Sequence, residues 1–120
     1  MKIWKYSGIF LMLTGVIHNA VAILLMHDIY WEIMRDGFVD AVAGDFDRWF
    51  AFWFFACGIF IILLGQAVHL SIRREQRPAP ASLGWTLLAL SVVICIAEPI
   101  SGSWLFIPQA LIIIVANRKQ

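Results

Sequence analysis

Two long stretches without a charged residue constrain this chain more than any other feature of its sequence. There are 22 uncharged residues between Lys5 and Asp28, and 24 between Arg48 and Arg73. Because a membrane-spanning helix needs roughly 20 apolar residues, each stretch is long enough to cross a bilayer. The composition agrees: 62% of the residues are hydrophobic and 14% are charged, whereas soluble domains carry about 25% charged residues. An ordinary soluble domain and a disordered chain are both excluded.

A third stretch of 40 residues, between Arg77 and Arg118, is interrupted only by Glu98, which divides it into 20 and 19. It predicts two shorter spans joined by a turn, with Ser103 capping the last helix and Pro108 in that helix's early part. Backbone amides have no other hydrogen-bond partner in hydrocarbon, so every span must be helical. The sequence therefore predicts one all-α domain over residues 1–120, a four-transmembrane-helix bundle with spans at about 6–26, 49–70, 82–97 and 103–116.

The basic residues predict the orientation of these spans. Seven of the nine Lys and Arg flank the chain ends and the connection between the second and third spans, whereas Arg35 and Arg48 lie on the opposite side. By the positive-inside rule, both chain ends are expected to be cytoplasmic, in a bacterial inner membrane. An alternative for the first span is a cleaved signal peptide ending near Ala20-Val21-Ala22. The apolar run that continues to Met26 favours the span.

The segment between the first two spans predicts a short amphipathic helix near Ile29–Gly37, lying on the outer surface. Its acidic and its apolar residues both recur every four positions, which is a helical pattern. The acidic residues form either a solvated face or a cation-attracting rim over a cavity mouth. They are Asp28, Glu32, Asp36 and Asp40, and the apolar set is Tyr30, Met34, Phe38 and Val42.

Residues 8–15 and 58–65 resemble each other, with five of eight positions identical. The similarity indicates either chance, since apolar helices with spaced glycines look alike, or a duplicated helix in opposite orientation, as in inverted-repeat transporters. In both cases Gly8, Gly15, Gly58 and Gly65 mark helix faces where a neighbour can approach closely.

Polar side chains at membrane depth are costly and are therefore candidate functional groups. His18 lies deep in the first span beside Asn19, and Gln109 is predicted at the same depth in the last span. We expect His18 to face the bundle interior with Asn19 or Gln109 as its nearest polar partner. It is either an interhelical hydrogen-bonding group or a ligand or proton site. Glu98 is expected at the outer turn, either in water or paired with Arg48.

Cofactors and nucleic acid are not expected. His69 lies roughly 17 Å along the membrane normal from His18, too far for one metal or haem iron to bind both. The sequence contains no metal-binding or phosphate-loop motif, and the net charge of +1 provides no basic stripe for nucleic acid. Cys57 and Cys95 lie in predicted spans without a Cys-x-x-Cys motif, which favours two buried apolar side chains.

The chain resembles a family of small bacterial four-helix membrane proteins that carries only a domain-of-unknown-function label. The resemblance rests on Ile17-His18, Trp53-Phe54, Gly65 and Ser101-Gly102-Ser103-Trp104, and the layout of the spans is also similar to DoxX-like proteins. Neither resemblance implies a catalytic residue.

These features predict a small integral membrane protein without enzymatic activity, which binds a small apolar ligand or a partner between its helices and can form a homo-oligomer. One alternative is a proton- or cation-coupled transporter centred on His18, which would take a cationic ligand. A third is a membrane enzyme that uses His18 and Glu98.

Overall fold

The computed structural model describes residues 2–120, and over that range it contains four α-helices and no strand. The helices are α1 (Ser7–Arg35), α2 (Phe46–Glu75), α3 (Ala81–Ala97) and α4 (Phe106–Arg118). Short 3-10 helices at Ile3–Tyr6 and Gly102–Leu105 precede α1 and α4. The predicted all-α class is confirmed.

Two helical segments are long and apolar enough to cross a membrane. They are Ile3–Arg35 and Phe46–Glu75, and each contains an 18-residue window with a mean hydropathy of 2.2. The other two apolar helical segments, Ala81–Ala97 and Gly102–Arg118, are shorter. The 17 residues of α3 extend over about 25 Å, at the lower limit for a span.

The predicted interfacial helix is the last part of α1 rather than a separate element. Helical residues continue from Ser7 to Arg35, with one interruption at Met26, where φ is −128° and ψ is 23°. A non-helical residue inside a helix produces a kink. The boundary expected at Met26 is therefore a bend, and the amphipathic residues beyond it stay aligned with the first span.

Gly37 ends α1. Its φ of +91° lies in the left-handed region, and two hydrogen bonds surround it: Gly37 N–H donates to the Met34 carbonyl at 3.1 Å, and Phe38 N–H donates to the Ile33 carbonyl at 3.0 Å. This is the Schellman arrangement, which satisfies the last carbonyls of a helix. Asp45 then caps α2, because its carboxylate accepts the Arg48 N–H at 3.1 Å.

The start of α4 confirms one prediction and corrects another. Pro108 is the third residue of α4, within the first turn, where its missing N–H removes no helical hydrogen bond. Ser103, however, is not the cap: it lies inside the 3-10 helix, and the hydroxyl of Ser101 accepts the Ser103 N–H at 3.4 Å. The serine two positions earlier takes that role because the 3-10 turn begins before the α-helix.

The helices form two antiparallel hairpins, α1 with α2 and α3 with α4, and the hairpins meet mainly where α1 contacts α4. In residues 2–120, α2 does not pack extensively against α3. The order across the molecule is thus α2, α1, α4, α3. This open arrangement differs from the expected bundle, in which every helix would pack against two neighbours.

The two ends of the molecule differ in charge and in packing. The basic end holds the chain ends and the α2–α3 connection, with seven basic residues and one acidic residue, and the acidic end holds two basic and seven acidic residues. All four helices contribute to a buried hydrophobic cluster, which lies towards the basic end. It consists of Leu11, Val68, Ile72, Ala79, Leu87, Ala110 and Ile113.

The acidic end is formed mostly by the longer hairpin. The 29 residues of α1 extend over about 43 Å, compared with about 20 Å for the 13 residues of α4. Because the two hairpins are aligned at the basic end, α1 and α2 project past the α3–α4 turn at the acidic end. The apolar surfaces there have no second hairpin to cover them.

Candidate functional site

The contact between α1 and α2 is made backbone to backbone at the four glycines. A Cβ on Gly65 would lie 2.6 Å from the Gly8 carbonyl oxygen, and one on Gly15 would lie 2.8 Å from the Gly58 carbonyl oxygen. These distances are shorter than any real Cβ contact, so only glycine allows the helices to approach this closely. Residues 8–15 and 58–65 therefore pack against each other in opposite directions, first glycine to last.

His18 lies in this contact, but its partner is neither of the residues expected. Its Nε2–H donates to the carbonyl oxygen of Phe54 at 2.8 Å. The imidazole also stacks on the Phe54 ring, with centroids 4.1 Å apart and planes 16° from parallel. The ring is half-buried. The prediction of Asn19 or Gln109 as its nearest partner was wrong, because a main-chain carbonyl of α2 is closer.

Asn19 occupies the space that the missing side chain of Gly58 leaves free. A Cβ on Gly58 would overlap the Asn19 amide. The Asn19 Oδ1 is buried and has no hydrogen-bond partner within residues 2–120. Asn19 thus fills the helix contact and contributes no described hydrogen bond through that oxygen.

Gln109 connects the two hairpins. Its Nε2 donates to the Thr14 hydroxyl oxygen at 2.7 Å and to the Leu105 carbonyl oxygen at 3.0 Å. Thr14 in turn donates to the Phe10 carbonyl oxygen at 2.7 Å. Thr14 and Gln109 are 7% and 9% exposed, so this is a buried polar link between α1 and α4.

Glu98 and the acidic residues of the long hairpin do not form one site. Glu98 is exposed where α3 ends, as in the first of its two expected alternatives, and the pairing with Arg48 is not present. Arg48 instead binds the long hairpin's own acids: its Nη2 lies 2.8 Å from Asp36 Oδ2 and 3.7 Å from Glu32 Oε2. Its Nη1 donates to the Ala41 carbonyl oxygen at 2.9 Å.

The four acids expected to form a rim are thus divided in their roles. Asp36 and Glu32 hold Arg48, which is 17% exposed, and fix the α1–α2 connection. The exposed Asp28 lies 3.1 Å from His27 Nε2, and Asp40 lies in the connection with a φ of 54°. Among the described residues, no group of three or more His, Cys, Asp and Glu side chains is placed to hold a metal ion.

The long hairpin has an apolar pocket at the acidic end, which we call the acidic-end pocket. Its volume is about 570 Å³, and its walls come from α1 beyond His18 and from α2 between Phe52 and Ile59, a stretch that includes the level of His18. Lining residues include Ile23, His27, Tyr30 and Met34 of α1, with Phe52 and Phe55 of α2. The Tyr30 hydroxyl donates to the Ala51 carbonyl oxygen at 2.7 Å, and its ring meets the Phe55 ring edge-on at 5.8 Å.

Reasoning from the sequence did not identify this pocket, although it did single out some of the apolar residues that line it. Tyr30, Met34 and Phe38 were expected to face the membrane from a separate helix. Since α1 continues through the Met26 kink, the same apolar face turns towards the aromatic side chains of α2. The run of four aromatic residues at 52–55 was the available signal on the second helix.

Comparison with known proteins gives one match. A family model described as a family of unknown function (DUF6463) matches residues 2–120. No curated protein matches the chain, and no solved structure does. The likeness to DoxX-like proteins expected from the layout is not supported by any of these comparisons.

Proposed function

This chain belongs to DUF6463, a family of unknown function, and we propose from its own geometry that it is a membrane protein that binds a small apolar ligand in the acidic-end pocket. The pocket itself is the observation that carries the proposal. A volume of about 570 Å³ with mostly apolar and aromatic walls falls within the ordinary range of small-molecule sites.

We further propose that all four helices span a bacterial inner membrane with both chain ends in the cytoplasm. The separation of charges between the two ends supports this orientation, since basic residues are retained on the cytoplasmic side. With α1 entering at its first residues, about 30 Å of helix brings the chain to Met26. The kink then lies at the outer membrane surface. The acidic-end pocket extends from Ile59, near the level of Asn19 within the membrane, to the α1 residues beyond the kink.

The exposure of the residues that line the pocket supports a ligand there. Trp31 is 69% exposed, Met34 62% and Phe38 54%, and all three line the pocket. In the proposed topology they lie where lipid gives way to water. Contiguous apolar surface of this kind marks a binding site in proteins. A neutral ligand with an aromatic or branched apolar body matches these walls, and His27 is the polar side chain within reach of its end.

Photolabelling tests the proposal on the full chain in non-ionic detergent. The probe is 3-trifluoromethyl-3-phenyldiazirine, a small neutral aromatic compound, and mass spectrometry locates the labelled residues. We expect labelling at 52–56 that saturates and that an excess of the non-photoreactive analogue displaces. Labelling on lipid-facing residues is expected to rise linearly. Linear labelling throughout, with no displacement, would refute the site.

Two tryptophan substitutions on α2 form a matched pair for this experiment. Ala56→Trp fills the pocket, whereas Ala67→Trp, about three turns further on the same face of α2, lies on the exposed surface outside it. The saturable labelling should be lost in the first variant and kept in the second. If both variants lost the saturable labelling equally, the loss would be due to altered helix packing and not to a filled pocket.

The transporter alternative rests on His18, and its half-buried position between α1 and α2 is the observation that favours it. His18→Gln keeps a hydrogen-bond donor but cannot titrate. In vesicles containing the protein, proton-coupled uptake of a lipophilic cation such as ethidium would then lose its pH dependence. If His18 only stabilises the helix contact, the variant should behave like the native protein.

A further inference from the structure

The basic end contains a second groove, between the first 3-10 helix and α4, far from the acidic-end pocket. Its volume is about 590 Å³. Leu111, Ile112, Val115 and Ala116 form its floor, and Trp4 forms one side. Lys2 and Lys119 line the same groove, one contributed by each chain end.

The floor follows a single face of α4. Leu111, Val115 and Lys119 are spaced four residues apart, so they lie in one row along the helix. From Leu111 to Lys119 this row is about 12 Å long. The apolar side chains thus run from the helix interior towards the end of the molecule, and the lysine stands where they stop.

The two lysines are available to bind an anion. In the part of the chain that the structure describes, no Asp or Glu carboxylate lies within 4.0 Å of Lys2 or Lys119. Both are exposed. Lys5 adds a third positive charge beside the groove, with its Nζ 6.0 Å from the centre of the Trp4 ring.

We propose that this groove binds one anionic phospholipid, with its phosphate between Lys2 and Lys119 and an acyl chain along the Leu111–Val115 row. Charge complementarity identifies the occupant, because basic clusters next to an apolar transmembrane surface attract anionic headgroups. A zwitterionic phosphatidylcholine would place a choline cation beside the lysines. Trp4, half-buried at the rim, is the kind of residue that marks the headgroup level. This inference does not depend on the ligand proposed for the acidic-end pocket.

Native mass spectrometry of the full chain in non-ionic detergent tests the proposal. The protein is titrated separately with dioleoylphosphatidylglycerol and dioleoylphosphatidylcholine, and the bound lipids are counted. We expect one phosphatidylglycerol to bind at least about tenfold more tightly than phosphatidylcholine. Equal affinity for the two lipids would overturn the proposal.

Charge-matched double variants separate this groove from the general attraction of the basic end. Lys2→Gln with Lys119→Gln should weaken phosphatidylglycerol binding about thirtyfold, or about fivefold for each lysine. Arg73→Gln with Arg77→Gln removes the same charge from basic-end residues that do not line the groove, and should change the affinity less than about threefold. An equal loss in both pairs would show that only net charge matters and would overturn the site.

A third variant tests the apolar part of the groove without changing any charge. Val115→Trp fills the floor, and we expect it to abolish the tightly bound phosphatidylglycerol while circular dichroism shows unchanged helix content. Because Val115 is 46% exposed, the substitution does not disturb the buried cluster. If glycerol phosphate without acyl chains displaced the lipid completely at equal concentration, the floor would have no part in binding and the proposal would fail.

Discussion

At Gly65 a single methyl group would meet main chain on two sides. A Cβ at this position would lie 2.6 Å from both the Gly8 carbonyl oxygen and the Met12 nitrogen. Main-chain atoms in a helix cannot move aside as a side-chain tip can. The helices α1 and α2 can therefore come this close at Gly65 only because glycine has no side chain.

Gly65→Ala should accordingly destabilise the protein by about 1–3 kcal/mol, the usual cost of overpacking. This is opposite in sign to the gain of nearly 1 kcal/mol that alanine brings in an unpacked helix. Unfolding monitored by circular dichroism during a dodecyl sulfate titration measures the difference. Gly102→Ala is the control, since nothing lies within 4 Å of a Cβ there, and it should be close to neutral. A stabilised Gly65→Ala protein would contradict the backbone contact.

His18 illustrates which part of the site the sequence can predict. The cost of an unpaired ring N–H in hydrocarbon correctly predicts that the side chain turns towards another helix. It does not identify the acceptor, because every residue of α2 carries a carbonyl and no sequence pattern distinguishes them. The stacking partner, Phe54, is likewise one of several aromatic residues on that helix.

Among the elements, the α1–α2 connection depends on one guanidinium. Arg48 lies within 4.0 Å of three carboxylates, those of Glu32, Asp36 and Asp45, and it also bonds the Ala41 carbonyl. These contacts join the end of α1, the connection and the first turn of α2. Several carboxylates bound to one planar guanidinium stabilise a structure more than isolated surface ion pairs do.

Replacing Arg48 with Leu should release this connection while the helices remain. We expect amide hydrogen exchange over residues 37–45 to accelerate by about fivefold or more, because local opening no longer has to break these contacts. Exchange in the middle of α2 should not change. Arg35→Leu provides the control, since Arg35 forms no ion pair among residues 2–120. Unchanged exchange in the Arg48 variant would show that the connection is held by its turns alone.

The bounds of the helices could largely be predicted from the charge-free stretches. Which helices pack against each other could not. The spans expected at 82–97 and 103–116 correspond closely to α3 and to the Gly102–Arg118 segment. Continuity through Met26 was missed because the first charged residue, Asp28, ends the charge-free stretch but does not end the helix. The order α2, α1, α4, α3 depends on glycine faces meeting in three dimensions, which hydropathy does not encode.

Across the whole molecule, the two hairpins depend on few polar contacts between them. Thr14→Val removes the acceptor of the Gln109 amide and should cost about 1 kcal/mol of stability. Gln109→Leu should cost less, because it removes an amide whose Oε1 is already buried without a partner in the described residues. Unfolding titrations of both variants measure the order. Thr86→Val, on an exposed position of α3, controls for the Thr→Val substitution itself. If Gln109→Leu lost more stability than Thr14→Val, the assignment of this hydrogen bond would be contradicted.

The proposed topology requires the two ends of the molecule to lie on opposite sides of the membrane. Cysteines introduced at Ala43 and at Glu75, both exposed, are placed in a protein with Cys57 and Cys95 replaced. In intact cells a membrane-impermeant maleimide should label the first and spare the second until the membrane is permeabilised. Labelling of Glu75→Cys in intact cells would contradict cytoplasmic chain ends.

The similarity between residues 8–15 and 58–65 has a consequence for which helices can pair. The glycines interlock here with the two segments running in opposite directions, Gly8 against Gly65 and Gly15 against Gly58. In the proposed topology, copies of α1 inserted in one membrane all point the same way, so they cannot form this antiparallel contact with one another even though the segment resembles its partner. Only α2 is inserted in the opposite orientation, so membrane insertion prevents α1 helices of different chains from pairing with each other through this contact. In a detergent micelle that constraint is lost, and an isolated α1 peptide should associate with a second copy head to tail.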